Sequence, residues 1–263
     1  MATPTFQRRL TGLLVIDPYN DFISEGGKVW DRLKAVAEAN GCVPNMLKVL
    51  QAARIAKIPV FYALHHRYRP GDYASWKYVA PIQRAAWERK TFEFGSWGGE
   101  IRPEFAPQPG ELLALEHWCS SGFANTDLDL LLQQRGIEQL IAIGLIAHTC
   151  LEATVRSAVD LGYQVTVVED ATASYSDDHM RAALEIALPN YASAIVTAAE
   201  VVSGIGKPPQ MKSSDILKSR ALAVVTTFSE LPGSGPILPE AAEQRVNPIG
   251  TRNSQEKDRN ESV

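Results

Sequence analysis

Apolar runs recur along the chain near residues 12–17, 58–64, 111–117, 138–144, 164–168 and 193–197, and within each the apolar side chains follow one another with little polar alternation. Such continuity predicts strands covered on both faces, as in a parallel sheet with helices above and below. Between the runs, VPNMLKVLQAARIAKI, TDLDLLLQQRG, LEATVRSAVDLG and DDHMRAALEIALPNY repeat their apolar residues with the period of an amphipathic helix. Gly136 and Gly162 act as C-terminal stops for two of them, and Asn125 or Thr126 can cap TDLDLLLQQRG. Strand alternating with helix predicts an α/β fold, a three-layer sandwich built on a doubly wound six-stranded parallel sheet.

Two stretches break this rhythm. Residues 65–110 form a connection far longer than is usual in α/β units, and it holds Tyr68, Tyr73, Trp76, Tyr78, Trp87, Phe92, Phe94 and Trp97. An aromatic connection of this length serves either as a lid or pocket wall, or as a subdomain or subunit contact. Beyond Gly204 the sequence turns rich in Pro, Ser and Gly and ends in TRNSQEKDRNESV. The expected organisation is one α/β domain over residues 1–205 and an extension over 206–263, with a helix in DILKSRALAVVTTFSEL and a disordered end.

Composition narrows the partners. With 263 residues, 45% of them hydrophobic and 21% charged, the chain can bury one substantial core. A net charge of −4 without a Lys or Arg block argues against nucleic acid and anionic membrane. No apolar run is long enough to cross a bilayer, and MATPTFQRRL lacks a signal core. Cys42, Cys119 and Cys150 form neither a CxxC site nor an even disulfide framework, which suits a reducing compartment, so a cytoplasmic location is expected.

Candidate chemistry sits where the apolar runs end. GLLVID closes on Asp17, ELLALEH on Glu116 and His117, and LIAIGLIA leads through His148 and Thr149 to Cys150. In open α/β sheets the carboxyl ends of the strands meet at one rim, where ligands bind, so these residues are expected to share a cleft. Cys150 falls where a strand gives way to a helix. Unpaired N–H groups there stabilise a thiolate and any adjacent oxyanion, offering nucleophile and oxyanion hole together. Plainer readings stand beside these: Cys150 as a small buried apolar residue, Asp17 as the turn former of Asp-Pro-Tyr-Asn, and Cys119 as packing. Asp127 and Asp129 open a helix, where acidic residues are favoured, and need no catalytic role.

DPYNDF, SGFANTDLDLLLQQRGI, GLIAHTCLEATVRSAVDLGY and DDHMRAALEIA, spread in that order from about Thr11 to Val202, resemble the isochorismatase-like cysteine hydrolases. The resemblance implies a catalytic Asp, Lys and Cys, with Asp17 matching the aspartate and Cys150 the nucleophile. It also implies a cis peptide at Leu145–Ile146 and an oxyanion hole formed by the amides of Ile146 and Cys150. The lysine is missing, and ungapped alignment through SSGFANTDLD puts His117 in its place. Beside Asp17 this histidine should have a raised pKa and in part replace the ammonium; the competing reading is a structural histidine in a site of weakened or lost activity. Expected substrate contacts are Phe22, Trp97, Glu116, His148 and Thr149, while Asn20 and Asp21 shape the pocket mouth or build the turn.

Some members of that family bind zinc through an Asp-x-His motif after the second strand. Here the place reads Ala63-Leu64-His65-His66, without the aspartate, so neither metal nor cofactor is expected. The expected function is cysteine-dependent hydrolysis of a C–N bond in a small amide, carbamoyl or imide-like substrate through a thioester. The alternatives are vinyl ether hydrolysis of the isochorismatase type and a hydrolase-like binding protein. The expected partners are a small-molecule substrate and further copies of the chain, as a dimer or tetramer.

Overall fold

A computed structural model describes residues 4–206; the boundary at 205/206, the helix expected in DILKSRALAVVTTFSEL and the expected disordered end lie at or outside that limit. Strands β1 (Thr11–Ile16), β2 (Val60–Ala63), β3 (Leu112–Leu113), β4 (Gln139–Gly144), β5 (Gln164–Val168) and β6 (Ala194–Val196) form one sheet in the order β3-β2-β1-β4-β5-β6. Every pairing is parallel, and helices flank the sheet. The helices are α1 (Asn20–Ile23), α2 (Trp30–Ala39), α3 (Cys42–Ile55), α4 (Pro81–Glu88), α5 (Leu128–Gln134), α6 (Glu152–Asp160), α7 (Asp177–Arg181) and α8 (Ala198–Gly206).

The period-two geometry of a strand divides each apolar run between two cores. Leu13, Val15, Tyr62, Ile141 and Ile143 face one side, where they meet Leu33 of α2, Met46, Val49 and Leu50 of α3, and Val201 of α8. Leu14, Ile16, Phe61, Ala63, Leu140 and Ala142 face the other, against Leu128 and Leu132 of α5 and Val155 and Ala158 of α6. Gly136 and Gly162 take left-handed φ values of 65° and 94° behind α5 and α6, the backbone state in which glycine ends a helix at little steric cost.

The third strand is shorter than the run 111–117 suggested. Ala114 still donates to the Tyr62 carbonyl at 3.0 Å, but the next bond, from the His117 amide to the Leu64 carbonyl at 2.9 Å, comes one residue late, so the regular ladder ends and pairing returns as a single bridge between His65 and His117. From β1 the sheet grows in one direction through β2 and β3, and in the other through β4, β5 and β6. The junction of β1 and β4 is therefore the switch point, where a crevice opens beyond the carboxyl ends of the strands. Asp17 follows one of these strands and Cys150 closely follows the other.

Candidate active site

Asp17 leaves β1 with φ 51°, in the left-handed region that aspartate tolerates better than most residues, and is fully buried. Its Oδ1 accepts the His65 amide at 2.6 Å and lies 3.2 Å from His117 Nε2. Its Oδ2 has no hydrogen-bond partner of ordinary geometry. A fully buried carboxylate with an open oxygen is costly unless charge nearby compensates it. His117, equally buried, supplies that compensation: Nδ1 donates to the Cys119 carbonyl at 2.7 Å while Nε2 faces Asp17. Both ring nitrogens thus face acceptors, which satisfies the doubly protonated ring. Burial works against the imidazolium, but the Asp17 charge and hydrogen bond, with that of Cys119, outweigh it and leave the His117 pKa above its usual range.

Cys150 is reached through an unusual backbone. β4 ends at Gly144, with φ 123°, where a Cβ would collide with the Ile16 carbonyl. The Leu145–Ile146 peptide, where the resemblance puts a cis bond, is cis. A single wide π turn over Ala147–Leu151 then carries Cys150 into α6. Such turns recur at functional sites because they re-aim a side chain without ending the helix. The sequence had suggested a thiolate stabilised by the helix start; the structure corrects this. Burial pushes the thiol well above its ordinary range and the Asp17 carboxylate pushes it further, while the Thr149 hydroxyl and Ile146 amide oppose this without reversing it. The resting group is a thiol with a carboxylate beside it.

A cavity of about 240 Å³ opens over Cys150. Ile146, His148, Thr149 and Phe22 line it, together with His65, Phe92, Thr91, Gln83, Arg32, Arg89 and Tyr175. Burial, then the neighbouring His117, lowers the pKa of His65 to about 4, and its Nδ1 is within 2.9 Å of the His66 carbonyl, so it is neutral near pH 7. His148 is likewise held down to about 4, first by burial and then by His179 and Arg32, and its Nδ1 contacts the Ser174 hydroxyl.

Two expected substrate contacts are placed elsewhere. Glu116 points away from the cavity, accepting Arg67 Nε at 2.6 Å and the Arg67 amide at 3.1 Å, with His66 Nδ1 at 3.3 Å. Burial alone would raise its pKa, but these partners hold it near 2. His117 is held inward by its bridge to His65, while the irregular backbone before it directs Glu116 to Arg67 and His66. Trp97 is 54% exposed and contributes only its carbonyl, which accepts Asn20 Nδ2 at 2.8 Å. Asp21 is structural, its carboxylate accepting the amides of Lys28 at 2.9 Å and Phe92 at 2.7 Å. Cys119 lines the cavity wall.

Arg32, Arg89, Thr91 and Tyr175 were not singled out from sequence. The arginines look like ordinary solvated helix positions, and only the path of the 65–110 connection brings Arg89 and Thr91 to the cavity. Among the described residues, no group of three or more His, Cys, Asp and Glu is gathered as a metal site. His66 instead pairs with Asp72 at 2.9 Å as well as with Glu116.

Comparison with known proteins adds to this geometry. The family model described as "Isochorismatase domain" matches residues 11–200. The chain belongs to the isochorismatase family. It is 31% identical over 183 residues to the ureidoacrylate amidohydrolase RutB of Rhizobium rhizogenes, covering 66% of this chain and 74% of that protein. An uncharacterized isochorismatase family protein of Bacillus subtilis, YddQ, is 34% identical over 164 residues, covering 62% of this chain and 78% of its own. The crystal structure of a cysteine hydrolase from Pseudomonas syringae pv. phaseolicola superposes with a TM-score of 0.64 at 27% identity, over 78% of this chain and 98% of that one. This isochorismatase-family hydrolase contains no described helix long and apolar enough to cross a membrane.

Proposed function

We propose that the protein is a cysteine-dependent amidohydrolase cleaving a C–N bond of a small amide, carbamoyl or imide-like compound. The observation that carries this reading is the buried Asp17 carboxylate near the Cys150 thiol, which itself lines the cavity of about 240 Å³. That relatives at about 30% identity are named amidohydrolases, and a similar solved structure a cysteine hydrolase, supports the same reading.

In the proposed reaction, Asp17 accepts the thiol proton as sulfur bonds to the carbonyl carbon. The carbonyl electrons move to oxygen, and the amides of Ile146 and Cys150 hold the resulting oxyanion, each such donor contributing about 3–4 kcal/mol in comparable sites. On collapse the C–N bond breaks and the departing nitrogen takes the proton from Asp17, leaving a thioester. Asp17 then takes a proton from water as that water attacks the thioester; the C–S bond breaks, the acid leaves and the thiol regains its proton. His117 contributes a positive charge facing the Asp17 carboxylate, the part the family lysine would play. Phe22, His148 and Thr149 border the acyl group. The enzyme is proposed to act in the cytoplasm as a homo-oligomer.

The test is hydrolysis of primary amides, ureido acids and isochorismate, with ammonia release and ether cleavage followed separately. Ammonia release by the wild type and its loss in Cys150→Ala supports the proposal. Ether cleavage that survives Cys150→Ala would replace it with vinyl ether hydrolysis. No turnover of any compound would leave a hydrolase-like binding protein, the reading favoured by the missing lysine.

A further inference from the structure

The cavity carries a charge pattern that bond cleavage does not use. Arg32 of α2 and Arg89, which follows α4, both line it, whereas no Asp or Glu side chain does. Among the described residues neither guanidinium lies within 4.0 Å of a carboxylate, since the ion pairs of the molecule are made by other residues. Arg32 stacks over the Tyr175 ring at 4.0 Å, an arrangement that fixes its plane and leaves its N–H edges open to a ligand. Arg89 gives one N–H to the Ala85 carbonyl at 3.0 Å and keeps its remaining donors. Burial raises the pKa of the Tyr175 phenol, and the charges of Arg32 and Arg89 act against that.

Thr91 points to a ligand independently. It lines the same cavity, is only 5% exposed, and its hydroxyl is buried with no hydrogen-bond partner. Buried hydroxyls are nearly always partnered, so this one has a hydrogen bond still to give; Thr91 also borders a separate void of about 10 Å³ with Trp87, whose indole N–H is likewise unpartnered. Phe22, Val29, Ile82 and Phe92 give the cavity apolar walls, and its other polar side chains, His65, Gln83, Ser120, His148 and Thr149, carry no charge to match an anion.

We propose that Arg32, Arg89 and Thr91 form an anion subsite that selects substrates carrying a carboxylate remote from the scissile carbonyl. Planar guanidinium forks match a carboxylate edge to edge, and two of them offset the cost of drawing that charge from water. The cavity is smaller than the roughly 300–1,000 Å³ typical of drug-sized ligands, so the substrate is a short acid amide or ureido acid. This inference rests on the amidohydrolase reading for its chemistry, but its binding consequence can be measured without turnover.

Calorimetry on Cys150→Ala protein with two matched pairs, succinamate against butyramide and 3-ureidopropionate against propylurea, isolates the carboxylate. In at least one pair the acid should bind on the order of 10- to 100-fold more tightly than its neutral partner. Arg32→Gln with Arg89→Gln should remove that preference, and Thr91→Val should reduce it, with circular dichroism unchanged. Equal affinity within both pairs, no binding by any of the four, or a preference that survives loss of both arginines would overturn the subsite. Selective binding without hydrolysis of either acid by the wild type would instead count against the amidohydrolase reading and leave the subsite standing.

Discussion

A lysine stays charged across the working pH range, whereas His117 holds its charge only below its folded pKa, which Asp17 raises above the ordinary 6.5. The wild-type rate should therefore fall as pH rises through that raised value. His117→Lys should move this limb to higher pH, and His117→Gln should lower kcat by roughly a hundredfold or more at every pH. A pH–rate profile unchanged by either substitution would remove His117 from the chemistry. Stability follows the same sign. The imidazolium–carboxylate pair contributes fully below pH 6.5 and is lost as pH rises through the folded pKa, so the melting temperature of wild type should drop towards that of His117→Gln on the alkaline side. Glu116 behaves oppositely: held near pKa 2 against an ordinary 4.5, it stabilises above pH 4.5 and ceases to do so as pH falls towards 2. At this scale, the proposed set of Asp17, His117 and Cys150 could be picked out because each follows an apolar run. The arginines and Thr91 could not, because pattern cannot tell a cavity wall from a solvated face.

Among the elements, strand alternation and the stops at Gly136 and Gly162 gave the central strands and the helices α3, α5 and α6. The helices α1, α2, α4 and α8 escaped notice; α4 lies within the irregular 65–110 connection, and α8 borders the extension. β3 was overread because its apolar pattern continues past the point where an extra residue between Ala114 and His117 interrupts the pairing with β2. The link from β4 into α6 is the element most sensitive to change. Gly144→Ala should destabilise the fold by at least about 2 kcal/mol, since the new Cβ meets the Ile16 carbonyl and the glycine sits at positive φ. Leu50→Ala, which opens the core beneath α3, should cost about 2–5 kcal/mol while leaving the catalytic rate of the folded fraction unchanged. Urea unfolding midpoints, read against activity, separate the two cases.

For the whole molecule, the decisive feature is the switch point between β1 and β4, which sets the ends of these strands side by side and so draws Asp17 near Cys150, 133 positions away in sequence. Strand order follows from pairings that no local pattern displays, so the expectation of a shared cleft rested on a general property of parallel sheets. A chain ending after Gly206 should keep the wild-type hydrolytic rate, as the family match ends at residue 200. The central claim, that Cys150 is the nucleophile, is tested most directly by rapid acid quench during turnover and peptide mass mapping. An acyl group on the Cys150 peptide, released by hydroxylamine and absent from the peptides of Cys42 and Cys119, is the predicted result. An adduct on Cys119, or full turnover by Cys150→Ala, would contradict it.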